Sequence, residues 1–447
     1  MTTILLGAGA SVPFFNPRLT TKSLTEAVKD RSNWENILEK YNCVLCDNGE
    51  RREVPSIDEV MELIHCIDEL YPSYHFEQIA EIVDKYCSIK IDIDQRETVL
   101  SSLIHIISTQ SKCQIPPCDE RWRDVPFLFR EIIADQILHH QRDCKVEDYD
   151  KLQQMQEKFL DSIGNSDEDV TIVSLNYDEC IVKSAKRTNF NFCYKFDPNQ
   201  GFIQDVISIL NEKKIILFPH GHLTLHTRNN YTEYYHSAEN ADENRWNFLF
   251  DSINKTITHY PAVFAYNFNT FITTGQSKDD SLNNEPFAAY YQRMAKDMMN
   301  SDKVIIIGYS FSDEHFNRLL KNFLHAKPEN KVLIVDYYTP NITMTNEYMD
   351  STCIITKLQG VFTPEWPIFV DANGNKLPIN PQEVQKLNNI GHGEIFHNVI
   401  FYKKGYASFL ETYHQILDTL YPCKYEPFFA RIKKFFLHAN KVIYSKS

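Results

Sequence analysis

Five short runs of apolar and β-branched residues punctuate the chain. They are Thr2–Leu6, Val170–Leu175, Lys214–Phe218, Lys303–Ile307 and Lys331–Val335. Each ends abruptly in turn chemistry: Gly7, Asn176, Pro219, Gly308 and Asp336 in that order. Continuous apolar runs of this length, without alternation, predict parallel strands covered on both faces. The intervals between them read differently. Residues 20–165 carry mainly helical periodicity, and Ser56-Ile57-Asp58-Glu59 places a capping box ahead of helix-spaced apolar positions. Residues 222–300 form a second interval, rich in Tyr, Phe, Asn and His.

The pattern predicts an α/β protein with a doubly wound, Rossmann-like parallel sheet. Two large, mostly helical insertions at about 20–165 and 222–300 elaborate that core. The core and its insertions occupy residues 1–340, and 341–447 reads as a C-terminal extension for assembly or partner contact. In the extension, Pro364, Pro367, Pro378 and Pro381 flank an Asn373-Gly374 turn signal, and helical periodicity returns from about residue 406. The segment Pro427–Leu437 is basic and amphipathic. It reads as a tail packed on its own domain or on another subunit, with membrane-surface binding as the sharper alternative.

Composition narrows the function. Forty-six basic residues against 60 acidic ones leave a net charge of −14 in 447 residues. Such a chain repels a phosphate backbone, so direct nucleic-acid binding is not expected. No apolar run reaches the length that spans a bilayer, and no basic segment precedes the first apolar stretch as in a signal peptide. The eleven cysteines are scattered and odd in number, as in a reducing compartment. A cytoplasmic protein without membrane contact is the expectation.

In an open α/β sheet, ligands bind at the carboxyl ends of the strands, and every polar segment of interest lies there. Gly7-Ala8-Gly9-Ala10-Ser11 is a tight turn of small residues that lets a backbone approach a pyrophosphate, with a following helix offering free N–H groups. The third glycine of the dinucleotide fingerprint is absent, Val12 standing there, so a plain strand–helix turn is the competing reading. Ser174-Leu175-Asn176-Tyr177-Asp178 places an amide and a carboxylate after a buried strand. Either could hold water or a ribose hydroxyl, and either could merely cap the next helix. Phe218-Pro219-His220-Gly221-His222 offers a histidine suited to general-base work or to a structural role. His220, His222 and His226 lack partners at zinc spacing, so no metal is expected. Gly308-Tyr309-Ser310-Phe311-Ser312-Asp313 repeats the strand–glycine–polar logic. Ser312 where a hydrolase elbow needs glycine leaves a serine nucleophile unsupported.

Taken in order over residues 4–313, the four segments resemble the sirtuin-like family, specifically its bacterial NAD-hydrolysing branch. The family pattern is Gly-Ala-Gly-x-Ser, Asn-x-Asp, His-Gly and Gly-x-Ser. The resemblance implies that Asn176 and His220 are the catalytic pair, and that Gly7, Ala8, Gly9 and Ser11 line the dinucleotide phosphates. It places Asp178 near the nicotinamide amide, Gly308 and Ser310 at the adenosine half, and Asp336 at a ribose. NAD would be the substrate, cleaved to nicotinamide and ADP-ribose, in a toxic effector of anti-phage defence that acts by abortive infection. The chain has no Gly-Lys-Ser/Thr P-loop, so the resemblance further implies a homo-oligomer controlled by a separate sensor such as a HerA-like ATPase.

Two features depart from the protein-deacylating sirtuins. Cys43-Val44-Leu45-Cys46 has no second Cys-x-x-Cys and lies far before the His-Gly segment, so it reads as two ordinary thiols. Phe14-Phe15-Asn16-Pro17-Arg18 replaces the deacylases' usual run after Ser11. A non-catalytic NAD or nucleotide sensor, or an assembly subunit, is the main alternative, with a deacylase behind it.

Overall fold

The structure is a computed structural model that describes residues 1–47, 54–88, 120–197, 201–223, 225–228, 233–236, 286–311, 313–326, 331–336, 395–396, 399–402 and 404–420. Among the described residues, the α-helices after strand β1 (Thr2–Leu6) and before the next strand are α1 (Thr21–Lys29), α2 (Arg31–Asp47), α3 (Ile57–Leu70), α4 (Phe76–Ser88), α5 (Val125–Asp143) and α6 (Tyr149–Gly164). Then come β2 (Val170–Ser174), α7 (Cys180–Ala185), β3 (Tyr194–Asp197), β4 (Gly201–Gln204), α8 (Val206–Asn211) and β5 (Lys214–Leu217). The rest comprises β6 (Leu225–Arg228), β7 (Glu233–His236), α9 (Phe287–Asn300), β8 (Lys303–Ile307), α10 (Glu314–Ala326), β9 (Lys331–Val335), β10 (Ile395–Phe396), β11 (Val399–Tyr402) and α11 (Gly405–Leu420).

The main sheet has the order β10-β11-β9-β8-β1-β2-β5. All its pairings are parallel except that of β10 with β11. The chain winds from β1 through β2 to β5 on one side, then returns to β8 on the other side of β1 and winds outward to β9 and β11. This is the doubly wound Rossmann order, with its switch point between β1 and β8. Every residue of β1 and of β2 is buried, as expected of strands covered on both faces. Leu6 stands level with Ser174 and Ile307, so the three following turns emerge at one edge of the sheet.

The described elements of residues 20–165 are helices and short turns, with an isolated bridge from Lys145 to Phe15. At their centre lies α5, with α1, α2 and α4 packed on it. Thirteen of its residues are buried, four of them polar or charged, and its exposed residues, His139, Arg142 and Asp143, lie in its last turns. Buried Arg130 is satisfied by Asp84 on α4 and by the carbonyl of Pro126. The capping box at Ser56 forms, and Arg121 grips the same Glu59 carboxylate from two nitrogens. These hydrogen bonds hold the Glu59 carboxyl below its ordinary range.

Three expectations need revision. The insertion at 222–300 is not simply helical: β6 and β7 join β3 and β4 in a four-stranded antiparallel sheet ahead of α9. The strands carry Tyr, Phe and Thr in short stretches, residues that favour a pleated surface over a helix. Second, no α-helix follows Ser11. Two short 3-10 turns, Ala8–Ala10 and Val12–Phe14, replace it. Pro13 and Pro17 lack the N–H groups a continuing helix needs. Third, the sheet does not stop at residue 340. β11 adds parallel to β9, and α11 packs on β9 and α6. Helix α11 lies where periodicity resumes near residue 406. The proline-bearing stretch around 364–381 and the segment Pro427–Leu437 lie outside the described residues. So do the side chains of Cys43, Cys46 and His226.

Candidate functional site

The two glycine turns at the switch point interlock backbone to backbone. A Cβ on Gly7 would stand 2.6 Å from the carbonyl oxygen of Gly308, and one on Gly9 would stand 2.7 Å from the Gly308 Cα. Gly308 has φ +59, and a Cβ there would meet the Ala10 nitrogen at 2.3 Å. The N–H of Gly7 bonds to the Ile307 carbonyl at 2.9 Å, and that of Gly9 to the Gly308 carbonyl at 2.8 Å. The glycines are thus required by contact between two turns, a constraint on the site's floor that the sequence alone attributed to a ligand.

Above this floor lies a cavity of about 380 Å³, within the range of small-ligand sites. Of the residues expected from sequence, Gly7, Ala8, Ser11, Asn176, Asp178, His220 and Ser310 line it. Gly9, Gly308 and Asp336 do not. The first two form the interlock beneath, and the backbone N–H and C=O of Asp336 bond to Tyr402 and Gly405. Ala8 and Ser310 are the exposed members, while Ser11, Asn176, Asp178 and His220 are buried.

The buried members form a directed network. Ser11 Oγ donates to Asp178 Oδ2 at 2.5 Å, because a carboxylate oxygen only accepts. With its proton so used, Ser11 Oγ accepts from Asn176 Nδ2 at 2.9 Å. This settles which end of the Asn176 amide faces Ser11 and turns Oδ1 the other way. Asn176 Oδ1 is buried and has no protein partner. Leaving a buried acceptor unsatisfied costs about 1–3 kcal/mol, so its retention in a cavity wall points to a ligand or water as the partner. The other Asp178 oxygen accepts from the Cys180 N–H at 2.9 Å, capping the turn into α7. Asp178 therefore works as a cap and as the anchor of Ser11.

His220 Nε2 lies 2.8 Å from Asp313 Oδ2, with both side chains nearly buried. Gly221 adopts φ 86, which lets the chain turn sharply between the two histidines. His222 is fully buried, its ring tilted against Phe218, and bonded to the backbone of Asp178. Burial pushes its pKa down to about 3, so it is a neutral structural residue. Among the described residues, no group of three or more His, Cys, Asp or Glu gathers as a metal site. None of their helices is long and apolar enough to cross a membrane.

The helical insertion supplies the roof: Leu19, Thr20 and Leu24 around the start of α1, His75, Phe76 and Glu77 at the start of α4, and Ile137 of α5. The Tyr177 hydroxyl donates to Glu77 Oε1 at 3.2 Å and ties roof to floor. Burial and the Glu77 carboxylate push the Tyr177 phenol well above its usual range. The segment after Ser11 is anchored beneath the insertion. Phe14 and Phe15 are buried, Phe14 packs edge-on to Tyr149, and the chain bonds to residues 144 and 146. Sequence reading missed Glu77, His75 and Asp313. The only signal for Asp313 was its place ahead of an amphipathic helix, where it reads as an N-cap.

The Rossmann-ordered sheet, with a lined cavity at its switch point, makes this a Rossmann-like α/β protein whose cavity lies where ligands bind in such folds. Residues 170–354, from β2 past β9, match the family model described as SIR2-like domain. Strand β1 and its glycine turn lie outside the matched span, yet they form the centre of the same sheet. SIR2-like domains use NAD, which places the function at the level of sirtuin-like, NAD-related chemistry. No curated protein matches the chain.

Proposed function

We propose that this protein is an NAD+ hydrolase that breaks the nicotinamide–ribose bond to release nicotinamide and ADP-ribose. The observation that carries the reading is the unpartnered Asn176 Oδ1 in the wall of the cavity that His220 also lines. The cavity suits the cationic half of the dinucleotide. Glu77, Asp178 and Asp313 contribute carboxyl groups, and no Lys or Arg stands among its described lining residues. A nicotinamide ring carrying positive charge is stabilised there, while the pyrophosphate fits better at the exposed Ala8 and Ser310.

The chemistry then asks little of the protein beyond placement. The C1′–N bond breaks with its electron pair going to the ring nitrogen, so nicotinamide leaves neutral and the ribose gains oxocarbenium character. Asn176 Oδ1 accepts a hydrogen bond from the attacking water and orients its oxygen toward C1′. His220 takes the proton that the water loses and passes it to solvent. The network from Asp178 through Ser11 holds the Asn176 amide so that its oxygen, not its NH2, meets the water.

An unrestrained hydrolase would drain the cell's NAD. We therefore propose that the activity serves as a toxic effector of bacterial anti-phage defence, acting by abortive infection in the cytoplasm. Control would come through a homo-oligomer and a separate sensor, a HerA-like ATPase being the kind of partner that fits a chain without its own P-loop. The test is incubation of the full chain with NAD, alone and with the partner, following nicotinamide and ADP-ribose by chromatography. Asn176→Ala and His220→Ala should each abolish release while the circular dichroism spectrum is retained. Full activity in both variants would remove the site assignment, and bound but intact NAD under every condition would favour a sensor.

A further inference from the structure

We propose that Asp313 is the positioning residue of a His–Asp dyad and fixes which nitrogen of His220 is basic. The inference rests on the reading of His220 as the proton acceptor. It gives a role to Asp313, which closes the strand-end segment Gly308–Asp313 but was given no part in the site by the sequence pattern.

Asp313 is doubly committed. Oδ2 faces His220 Nε2 at 2.8 Å, and Oδ1 accepts from the Phe316 N–H at 3.1 Å at the start of α10. Its backbone is fixed as well. The Tyr309 hydroxyl accepts from the Asp313 N–H at 3.1 Å and donates to the Asp313 carbonyl at 3.0 Å. Between them Phe311 adopts φ 57, an uncommon conformation for a bulky residue, with its carbonyl held by Asn317 Nδ2 at 2.9 Å. Capping α10 would require only one oxygen, and Ser or Asn would serve. The second oxygen, aimed at a buried imidazole, is the part that helix formation does not explain.

A neutral imidazole has one N–H and one bare nitrogen. The carboxylate at Nε2 holds the N–H there, which leaves Nδ1 as the basic nitrogen. When a water attacks C1′, its proton moves to Nδ1 and the resulting imidazolium keeps its Nε2–H on Asp313. Loss of the Nδ1 proton to solvent restores the neutral ring. The carboxylate matters most at the charged stage, because a buried imidazolium without a counter-charge is costly. Among the described residues that line the cavity with this pair, the other ionisable groups are Glu77 on α4, His75 just before it, Asp178 and Tyr177 from the turn after β2, and Tyr309 beside Asp313.

The experiment compares the full chain with its Asp313→Asn, Asp313→Ser and Asp313→Ala variants. Ser keeps a cap for α10 but cannot hold the histidine, so Ser against Ala separates capping from positioning. Nicotinamide release should fall by roughly 10²–10⁴ in both Asn and Ser variants, with KM nearly unchanged. The acidic limb of the rate profile should move down by about one pH unit or more, since the group that favours the imidazolium is gone. Asp313→Glu should recover part of the rate. A purely structural role would lower the melting temperature without moving that limb. Nitrogen-15 spectra of histidine-labelled protein, assigned against His220→Gln, read the tautomer whether or not NAD is cleaved. A proton on Nε2 in the wild type that is lost or redistributed in Asp313→Ser supports the dyad. A proton on Nδ1, or turnover and tautomer unaltered in Asp313→Ser, overturns it. A wild type with the Nε2 tautomer that leaves NAD intact both alone and with the partner would sink the hydrolase reading while the dyad stands.

Discussion

Asn176 and Ser11 lie 165 positions apart in sequence, yet Asn176 Nδ2 donates to Ser11 Oγ at 2.9 Å. The proton of Ser11 is already committed to Asp178, so the hydroxyl acts as a fixed acceptor for the amide. Ser11 thereby gains a task beyond the phosphate contact expected from its place in the first turn. Ser11→Ala should free the amide to rotate and present its NH2 to the water in part of the population. Turnover should drop by about 10–100-fold with little change in KM, because an interaction made mainly in the transition state is lost. A rise in KM at unchanged turnover would return Ser11 to the role of a binding residue.

Gly308 should be the least tolerant glycine of the site. A methyl group there meets the backbone of Gly9 and Ala10 at 2.3 Å, and backbone has no rotamer to move aside. Gly308→Ala should destabilise by about 1–3 kcal/mol from overpacking and a further 1–2 kcal/mol from its left-handed φ. Denaturant unfolding checks this. A midpoint equal to that of the wild type would show that the two turns are not locked together.

The contrast between those two positions shows what a sequence displays and what it hides. The strands β1, β2, β5, β8 and β9 were legible because parallel strands buried on both faces leave unbroken apolar runs. Val399–Tyr402 has the same character, but it follows a long stretch without strand signals and so was assigned to an extension. Asn176 and His220 were legible because a polar residue directly after a buried strand stands out. The Gly7–Gly308 contact was not, since the turns meet across some 300 residues and either glycine alone accommodates a phosphate. Asp313 was hidden by its own sufficiency as a helix cap. Glu77 and His75 were hidden because they open a helix whose relation to the sheet is set by tertiary packing alone.

His222 links acid stability to the same loop. Its folded pKa is about 3, below the ordinary value of 6.5, because burial penalises the charged form. The unfolded chain therefore binds a proton that the folded chain refuses once pH falls below about 6.5. Its contribution to stability is complete above that pH and is lost progressively toward pH 3, at up to about 1.4 kcal/mol per pH unit. Urea unfolding at pH 7 and pH 5 should show this loss in the wild type. His222→Asn, which keeps a donor for the Asp178 backbone but does not titrate, should show a shallower dependence. Equal slopes in both proteins would mean that His222 is protonated when folded.

Glu77 makes the final prediction, because it brings a roof carboxylate to a cavity that already holds Asp178 and Asp313. Its tie to Tyr177 keeps it at the wall. If the nicotinamide half sits there, the positive ring of the oxidised dinucleotide gains from each carboxylate, whereas the neutral reduced ring does not. Glu77→Gln preserves the acceptor for Tyr177 and removes only the charge. At the effective dielectric of a partly shielded site, that charge is worth about 1 kcal/mol across several ångströms, or roughly fivefold in affinity. Calorimetric binding to the wild type and to Glu77→Gln should therefore show weaker NAD+ binding with NADH binding unchanged, measured in His220→Ala backgrounds so that the oxidised ligand survives. Parallel weakening of both forms would place the ring elsewhere and leave Glu77 as a tie between insertion and sheet.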